Sequence, residues 1–223
     1  MIATHKKNKP MKNAYQPIDL DFQLYLVTDR KVLPASKPLL KATEEALRGG
    51  VRAIQLREKD LGTRNLLRLA YEMRELTLRY DARLFINDRV DIAIAVDADG
   101  VHLGQKSIPP YAVRRLAARL IVGVSAHNLA EANKAVADGA DFLTLGPVFP
   151  TPSKPGATAT LGLEGFRAIA SKVPVPVFGI GGIALDNLKD VMDHGAAGVS
   201  MISSIYAAKD IKAASLKLLK LLK

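Results

Sequence analysis

Short apolar, β-branched runs recur eight times along this chain, with segments of helical periodicity between them. That alternation limits the possible folds more than any single residue does. In order the runs are LYLVTD from Leu24, AIQLRE from Ala53, LFIND from Leu84, GVHLG from Gly100, IVGVSA from Ile121, FLTLGP from Phe142, PVFGIGG from Pro176 and GVSMISSI from Gly198. Among the intervening segments, Thr63 to Tyr80 carries Leu66, Leu69, Ala70, Met73, Leu76, Thr77 and Tyr80 on one stripe, as an amphipathic helix requires. Three helical segments stop at glycine, in RGG at 48–50, DGA at 138–140 and HGA at 194–196, and each stop leads directly into a strand. Eight alternating units in 223 residues predict a single (β/α)8 barrel of eight strands and eight helices spanning 22–223. A doubly wound open sheet would not need eight strands, and the first strand lacks its G-x-G-x-x-G turn. Residues 1–21 precede the repeat as a basic N-terminal extension, expected to include a disordered tail.

The net charge of +10 raises the question of a nucleic-acid partner, and its distribution answers against one. Residues 1–13 carry four lysines and no acid, and residues 209–223 carry five lysines and one aspartate, so the two ends hold +8 of the total. The body between them is nearly balanced, and the basic ends read as solvated tails. With no cysteine in the chain, disulfides and thiolate-bound metals are excluded. No run of about eighteen apolar residues is present, and MIATHKKNKPMKNAY lacks the apolar core of a secretory signal. The expectation is a cytoplasmic protein with neither membrane nor nucleic-acid partner; a homo-oligomer is compatible with the sequence.

Barrels of this kind bind ligands at the C-terminal ends of their strands. At the end of the second strand, QLREKD alternates so that Ile54 and Leu56 face the helices while Gln55, Arg57 and Lys59 face the barrel axis near its mouth. Two cations aimed at one point call for an anionic ligand, unless Glu58 or Asp60 pairs with them in solvent. Other polar residues fall at the same rim: Asn87 and Asp88, His102, Ser125 and His127. The loop VFPTPSKPGATATLG offers Thr151, Ser153 and Lys154, hydroxyls and an ammonium suited to phosphate oxygens. GIGGI at 179–183 and the serine-rich end of the eighth strand suit a phosphate held by backbone N–H groups. Together these residues suggest a site for two anions, one at strands 7 and 8 and one at strands 2, 3 and 6. Asp88 among the cations suggests a Mg²⁺ ion bridging a diphosphate.

Taken in order, QLREKD, FINDRVDIA, DGVHLGQ, GVSAH, GPVFPTPSK, GIGGI and GVSMISSI resemble the family of thiamine phosphate synthases and their relatives the thiazole tautomerases. The resemblance covers about Leu24 to Lys223. It implies a transferase that joins a pyrimidine diphosphate to a thiazole phosphate, with a pyrimidinylmethyl cation forming as pyrophosphate leaves. It assigns the pyrimidine diphosphate to Gln55, Leu56, Arg57, Glu58, Lys59, Asn87, Ser125 and Lys154. The thiazole phosphate falls to Thr151, Pro152, Ser153, Gly182, Ile202 and Ser203, and Mg²⁺ to Asp88. Arg57, Lys59 and Lys154 would be catalytic through the charge of the leaving group.

One position departs from the pattern. The synthases usually carry a second Mg²⁺-ligating aspartate where GQKSIPP places Ser107. A serine hydroxyl can ligate Mg²⁺ but brings no charge. The tautomerase needs no metal and would use His127 as its acid–base group, so that activity remains the alternative. A non-catalytic protein that binds phosphorylated metabolites is the third reading.

Overall fold

The computed structural model describes residues 20–151 and 160–222. Residues 1–19 of the expected extension lie outside the described residues, as do Pro152, Ser153 and Lys154. The strands are β1 Leu24–Val27, β2 Ala53–Leu56, β3 Arg83–Asn87, β4 Gly100–Leu103, β5 Ile121–Ala126, β6 Phe142–Leu145, β7 Val177–Ile180 and β8 Gly198–Met201. All eight are parallel and close in sequence order, β1 pairing with both β2 and β8. The chain is therefore a TIM barrel, as the alternation predicts.

The helices are α1 Leu39–Arg48, α2 Thr63–Arg79, α3 Val90–Ala95, α4 Pro110–Leu116, α5 Leu129–Ala137, α6 Gly162–Ala170, α7 Leu188–Asp193, α8 Ser203–Tyr206 and α9 Ile211–Leu221. Among the described residues the expectation of eight helices is corrected by one: a single turn, α8, stands between β8 and the closing helix α9. On α2 the stripe Leu66, Ala70, Met73, Leu76 and Thr77 is buried as expected. Among the described residues no helix is long and apolar enough to cross a membrane.

Period-two alternation sorts each strand into two cores. Outward residues such as Leu26, Ile54, Leu56, Leu84, Val101 and Val199 join the helices in the outer core. Inward residues Tyr25, Phe85, Phe142 and Phe178 stack with Phe22 into an aromatic plug, ring centroids 5.2–6.4 Å apart. The plug needs glycines opposite it. A Cβ at Gly123 would lie 2.4 Å from Phe142 Cζ and 2.6 Å from His102 Nδ1, so no side chain fits there. Phe22, the first residue of the expected barrel, is buried in the plug, and Asp21 just before it pairs with Arg83 at 2.7 Å.

Charged staples hold the N-terminal end of the barrel. Asp99, just before β4, accepts from Leu84 N at 2.8 Å and from Arg74 of α2 at 2.7 Å. Asp141, just before β6, accepts from Val122 N at 2.6 Å and from Arg114 of α4. These ties lie opposite the C-terminal rim, where polar side chains face open space.

Candidate active site

Above the aromatic plug the inward positions turn polar. Gln55, His102, Thr144 and Ser200 are buried, and Ser125 is half-buried. Gln55 Nε2 donates to Tyr25 Oη at 3.1 Å, and Tyr25 Oη lies 3.4 Å from His102 Nδ1. His102 Nε2 is 2.9 Å from Ser125 Oγ, to which Thr144 Oγ1 donates at 3.2 Å. Burial pushes the His102 imidazole down to about 3, with Asp88 opposing and Arg57 adding to the shift, so the ring is neutral. Burial likewise raises the Tyr25 phenol well above its ordinary value, against the hydrogen bond from Gln55.

Two cavities open above this layer. The larger, about 440 Å³, is edged by Gln55, Arg57, Lys59, Asn87, Asp88, Lys106 and Ser107. The smaller, about 280 Å³, lies under Thr151, Gly182, Ile183, Ile202, Ser203 and Ser204. They share one wall, formed by Ser125, His127, Thr144, Ile180, Ser200 and Ile202. The rim is expected to divide between strands 7 and 8 and strands 2, 3 and 6; two adjoining spaces lie there, with Thr151 of the loop after β6 bordering the smaller one and Lys154 outside the described residues.

Arg30 decides what the larger cavity presents. It donates to Glu58 Oε2 at 2.9 Å and makes a two-pronged contact with Asp60 at 2.9 and 3.0 Å; Lys31 adds a further contact to Asp60 at 3.1 Å. The two acids of QLREKD are thereby drawn away from Arg57 and Lys59. Among the described residues, neither Arg57 nor Lys59 has a carboxylate within ion-pair distance, and both line the cavity. The solvent-pairing alternative for these cations therefore does not apply. Burial raises the Glu58 carboxyl, and hydrogen bonds from Thr28 and Arg30 offset part of that rise.

Asp88 takes a positive φ of 60°, which turns its carboxylate inward beside Asn87, whose Nδ2 donates to it at 2.7 Å. The Ser107 hydroxyl donates to Asp88 Oδ1, and Gly104 N donates to Ser107 Oγ at 2.7 Å. One carboxylate and one hydroxyl at the edge of an open cavity suit Mg²⁺, which keeps several waters and shares substrate phosphate oxygens. No cluster of three His, Cys, Asp or Glu that could cage a metal occurs among the described residues.

His127 Nδ1 lies 2.9 Å from Glu131 Oε2, which also accepts from the His127 backbone N–H at 2.9 Å. Burial raises the Glu131 carboxyl, but these bonds prevail and hold it below the usual range. The imidazole is thereby anchored at the wall between the cavities.

The structure brings Gln55, Arg57, Lys59, Asn87, Asp88, Ser107, Ser125 and His127 to the larger space, and Thr151, Gly182, Ile202 and Ser203 to the smaller. Leu56 and Glu58 line neither cavity: Leu56 packs in the outer core and Glu58 is engaged by Arg30. Sequence reasoning passed over Thr144 and Ser200. Each lies two residues beyond an inward-facing Phe142 or Gly198, so strand alternation would have found them. Ser200 Oγ is buried without a hydrogen-bond partner, which a ligand in the shared space would correct. Gly182 has φ 65°, and a Cβ there would meet Pro150 O at 2.6 Å and Phe149 Cβ at 2.7 Å. It is therefore held glycine first by the loop after β6.

Two adjoining cavities at the C-terminal strand ends of a TIM barrel, one bordered by cations with no ion-pair partner among the described residues, form the candidate active site. Residues 24–205 match the family model described as thiamine monophosphate synthase. The chain belongs to that family. It is 47% identical over 199 residues to the thiamine-phosphate synthase of Chloroflexus aurantiacus, covering 89% of this chain and 92% of the relative. It is also 47% identical over 198 residues to the thiamine-phosphate synthase of Moorella thermoacetica, covering 88% and 94%. The solved structure of thiamine phosphate pyrophosphorylase from Pyrococcus furiosus aligns with a TM-score of 0.82 at 42% identity, covering 90% of this chain and 95% of that one.

Proposed function

We propose that this protein is a thiamine-phosphate synthase, a transferase that joins a pyrimidine diphosphate to a thiazole phosphate and releases pyrophosphate. The observation that carries the reading is the capture of Glu58 and Asp60 by Arg30, which leaves Arg57 and Lys59 to face a cavity adjoining a second one. The larger cavity takes the pyrimidine diphosphate and the smaller the thiazole phosphate.

Arg57 and Lys59 bind the diphosphate, and their charge gains in value as negative charge builds on the departing group. Asn87 positions an oxygen of the same group. Lys154, outside the described residues, is assigned here by its place in TPSK. Asp88 and Ser107 would hold Mg²⁺, which supplies further positive charge to the diphosphate when bound. Gln55 orients the pyrimidine from the floor of the cavity. The backbone near Gly182 and Ser203 with the Thr151 hydroxyl holds the thiazole phosphate, aiming its ring nitrogen across the shared wall. The apolar Ile180 and Ile202 in that wall help keep water from the electron-poor carbon.

The tautomerase reading is favoured by the anchoring of His127 on Glu131 and by the missing carboxylate at Ser107. One experiment separates the two. The purified protein is given both synthase substrates with Mg²⁺, and separately the thiazole tautomer in EDTA. Thiamine phosphate and pyrophosphate in equal amounts are expected from the first. Isomerisation in EDTA with no coupling at any Mg²⁺ concentration would overturn the proposal.

A further inference from the structure

His102 is a buried imidazole at the floor of the larger cavity that takes no part in the chemistry above, yet its two nitrogens face the hydroxyls of Tyr25 and Ser125. We propose that Tyr25 and His102 are positioning residues, a one-way chain of hydrogen bonds that fixes the Ser125 hydroxyl as a donor into the larger cavity.

The direction follows from counting protons. Gln55 Nε2 donates to Tyr25 Oη at 3.1 Å, so the phenol must send its own proton elsewhere. Tyr25 is sealed in the aromatic plug, and the acceptor facing it is His102 Nδ1 at 3.4 Å. A neutral imidazole that accepts at Nδ1 carries its proton on Nε2. Nε2 faces Ser125 Oγ at 2.9 Å and, at the longer distance of 3.3 Å, Thr144 Oγ1, whose own proton goes to Ser125 Oγ at 3.2 Å. With two donors arriving, the Ser125 proton turns to what fills the cavity. The opposite tautomer would leave the Tyr25 proton buried among rings without an acceptor, which is costly for a buried donor. It would also draw a proton from Ser125 or Thr144 inward to Nε2, and Ser125 would lose at least one of the two donors that turn its own proton to the cavity. Gly123 makes room for the ring, since a Cβ there would come within 2.6 Å of His102 Nδ1.

The identity of the acceptor, a diphosphate oxygen of the pyrimidine substrate, rests on the function proposed above. The chain itself does not, and two measurements test it. Long-range proton–nitrogen correlation spectra of the full ¹⁵N-labelled protein at neutral pH read the His102 tautomer directly. A proton on Nε2 with a bare Nδ1 is expected; a proton on Nδ1, or on both nitrogens, overturns the proposal whatever the enzyme does. In the coupling assay, Tyr25→Phe keeps the ring in the plug and removes the donor to Nδ1. It should lower kcat about tenfold, the worth of one misdirected hydrogen bond to a charged acceptor, with a smaller change in KM for the pyrimidine diphosphate. The double variant Tyr25→Phe/Ser125→Ala should be no slower than Ser125→Ala alone, because both act through one hydroxyl. Costs that multiply would overturn the chain. A wild type that makes no thiamine phosphate would remove the function proposed above, and the spectra would then decide the chain alone.

Discussion

The Ser107 hydroxyl donates a hydrogen bond to Asp88 Oδ1 at the edge of the larger cavity. A carboxylate acts there with a neutral neighbour, so Mg²⁺ affinity should depend heavily on the bound diphosphate. Ser107→Asp adds a hard, charged ligand and should lower the Mg²⁺ concentration needed for half-maximal coupling by about tenfold. Asp88→Ala should abolish coupling. A Mg²⁺ titration of the coupling rate across the three proteins checks both; unchanged half-saturation in Ser107→Asp would remove position 107 from the metal site.

Arg30 reaches the buried Glu58 with a guanidinium that is 36% exposed. Arg30→Met should cost roughly 2 kcal/mol of stability, less than breaking a fully buried pair, because part of the guanidinium remains in water. It should also raise KM for the pyrimidine diphosphate about tenfold, as Asp60 and Glu58 become available to Arg57 and Lys59. Adding Glu58→Gln and Asp60→Asn should restore most of that KM. Denaturant titration and steady-state kinetics of the single and triple variants read the two effects separately; a KM that stays high in the triple variant would count against charge competition.

Gly182 combines a positive φ with a loop packed against it. Gly182→Val should press on Phe149 and Pro150 and shift the loop that carries Thr151, not merely fill the phosphate space. Thiazole phosphate affinity should fall at least tenfold by calorimetry, with a smaller loss for the pyrimidine diphosphate. Equal loss for both ligands would point to general damage.

His102 titrates near 3 when folded against an ordinary value of 6.5. Between those values the unfolded chain binds a proton that the folded one does not, so this residue's contribution is full above pH 6.5 and is lost as pH falls toward about 3. Urea unfolding at steps from pH 7.5 to 4 should show stability declining through this window. The decline should flatten in His102→Asn, measured against that variant's own stability at pH 7.5. An identical slope in both proteins would place the titration elsewhere.

The eight strands, their order and the faces of QLREKD follow from local periodicity, because alternation and glycine stops act within a few residues. That is why Gln55, Arg57, Asn87 and Ser125 can be assigned to the barrel mouth from the sequence. Partner choice is a different matter. Arg30 meets Glu58 across 28 residues through the parallel pairing of β1 with β2, and Tyr25 meets His102 across 77 inside the closed barrel, contacts that local periodicity does not specify. The same limit hid the extra turn α8, whose four residues carry too little periodicity to register. Sequence by itself determined which side chains point to the axis. Tertiary structure alone decided which charges stay unpaired there, because an acid is neutralised by whichever cation the closed barrel brings nearest, and for Glu58 and Asp60 that cation is Arg30.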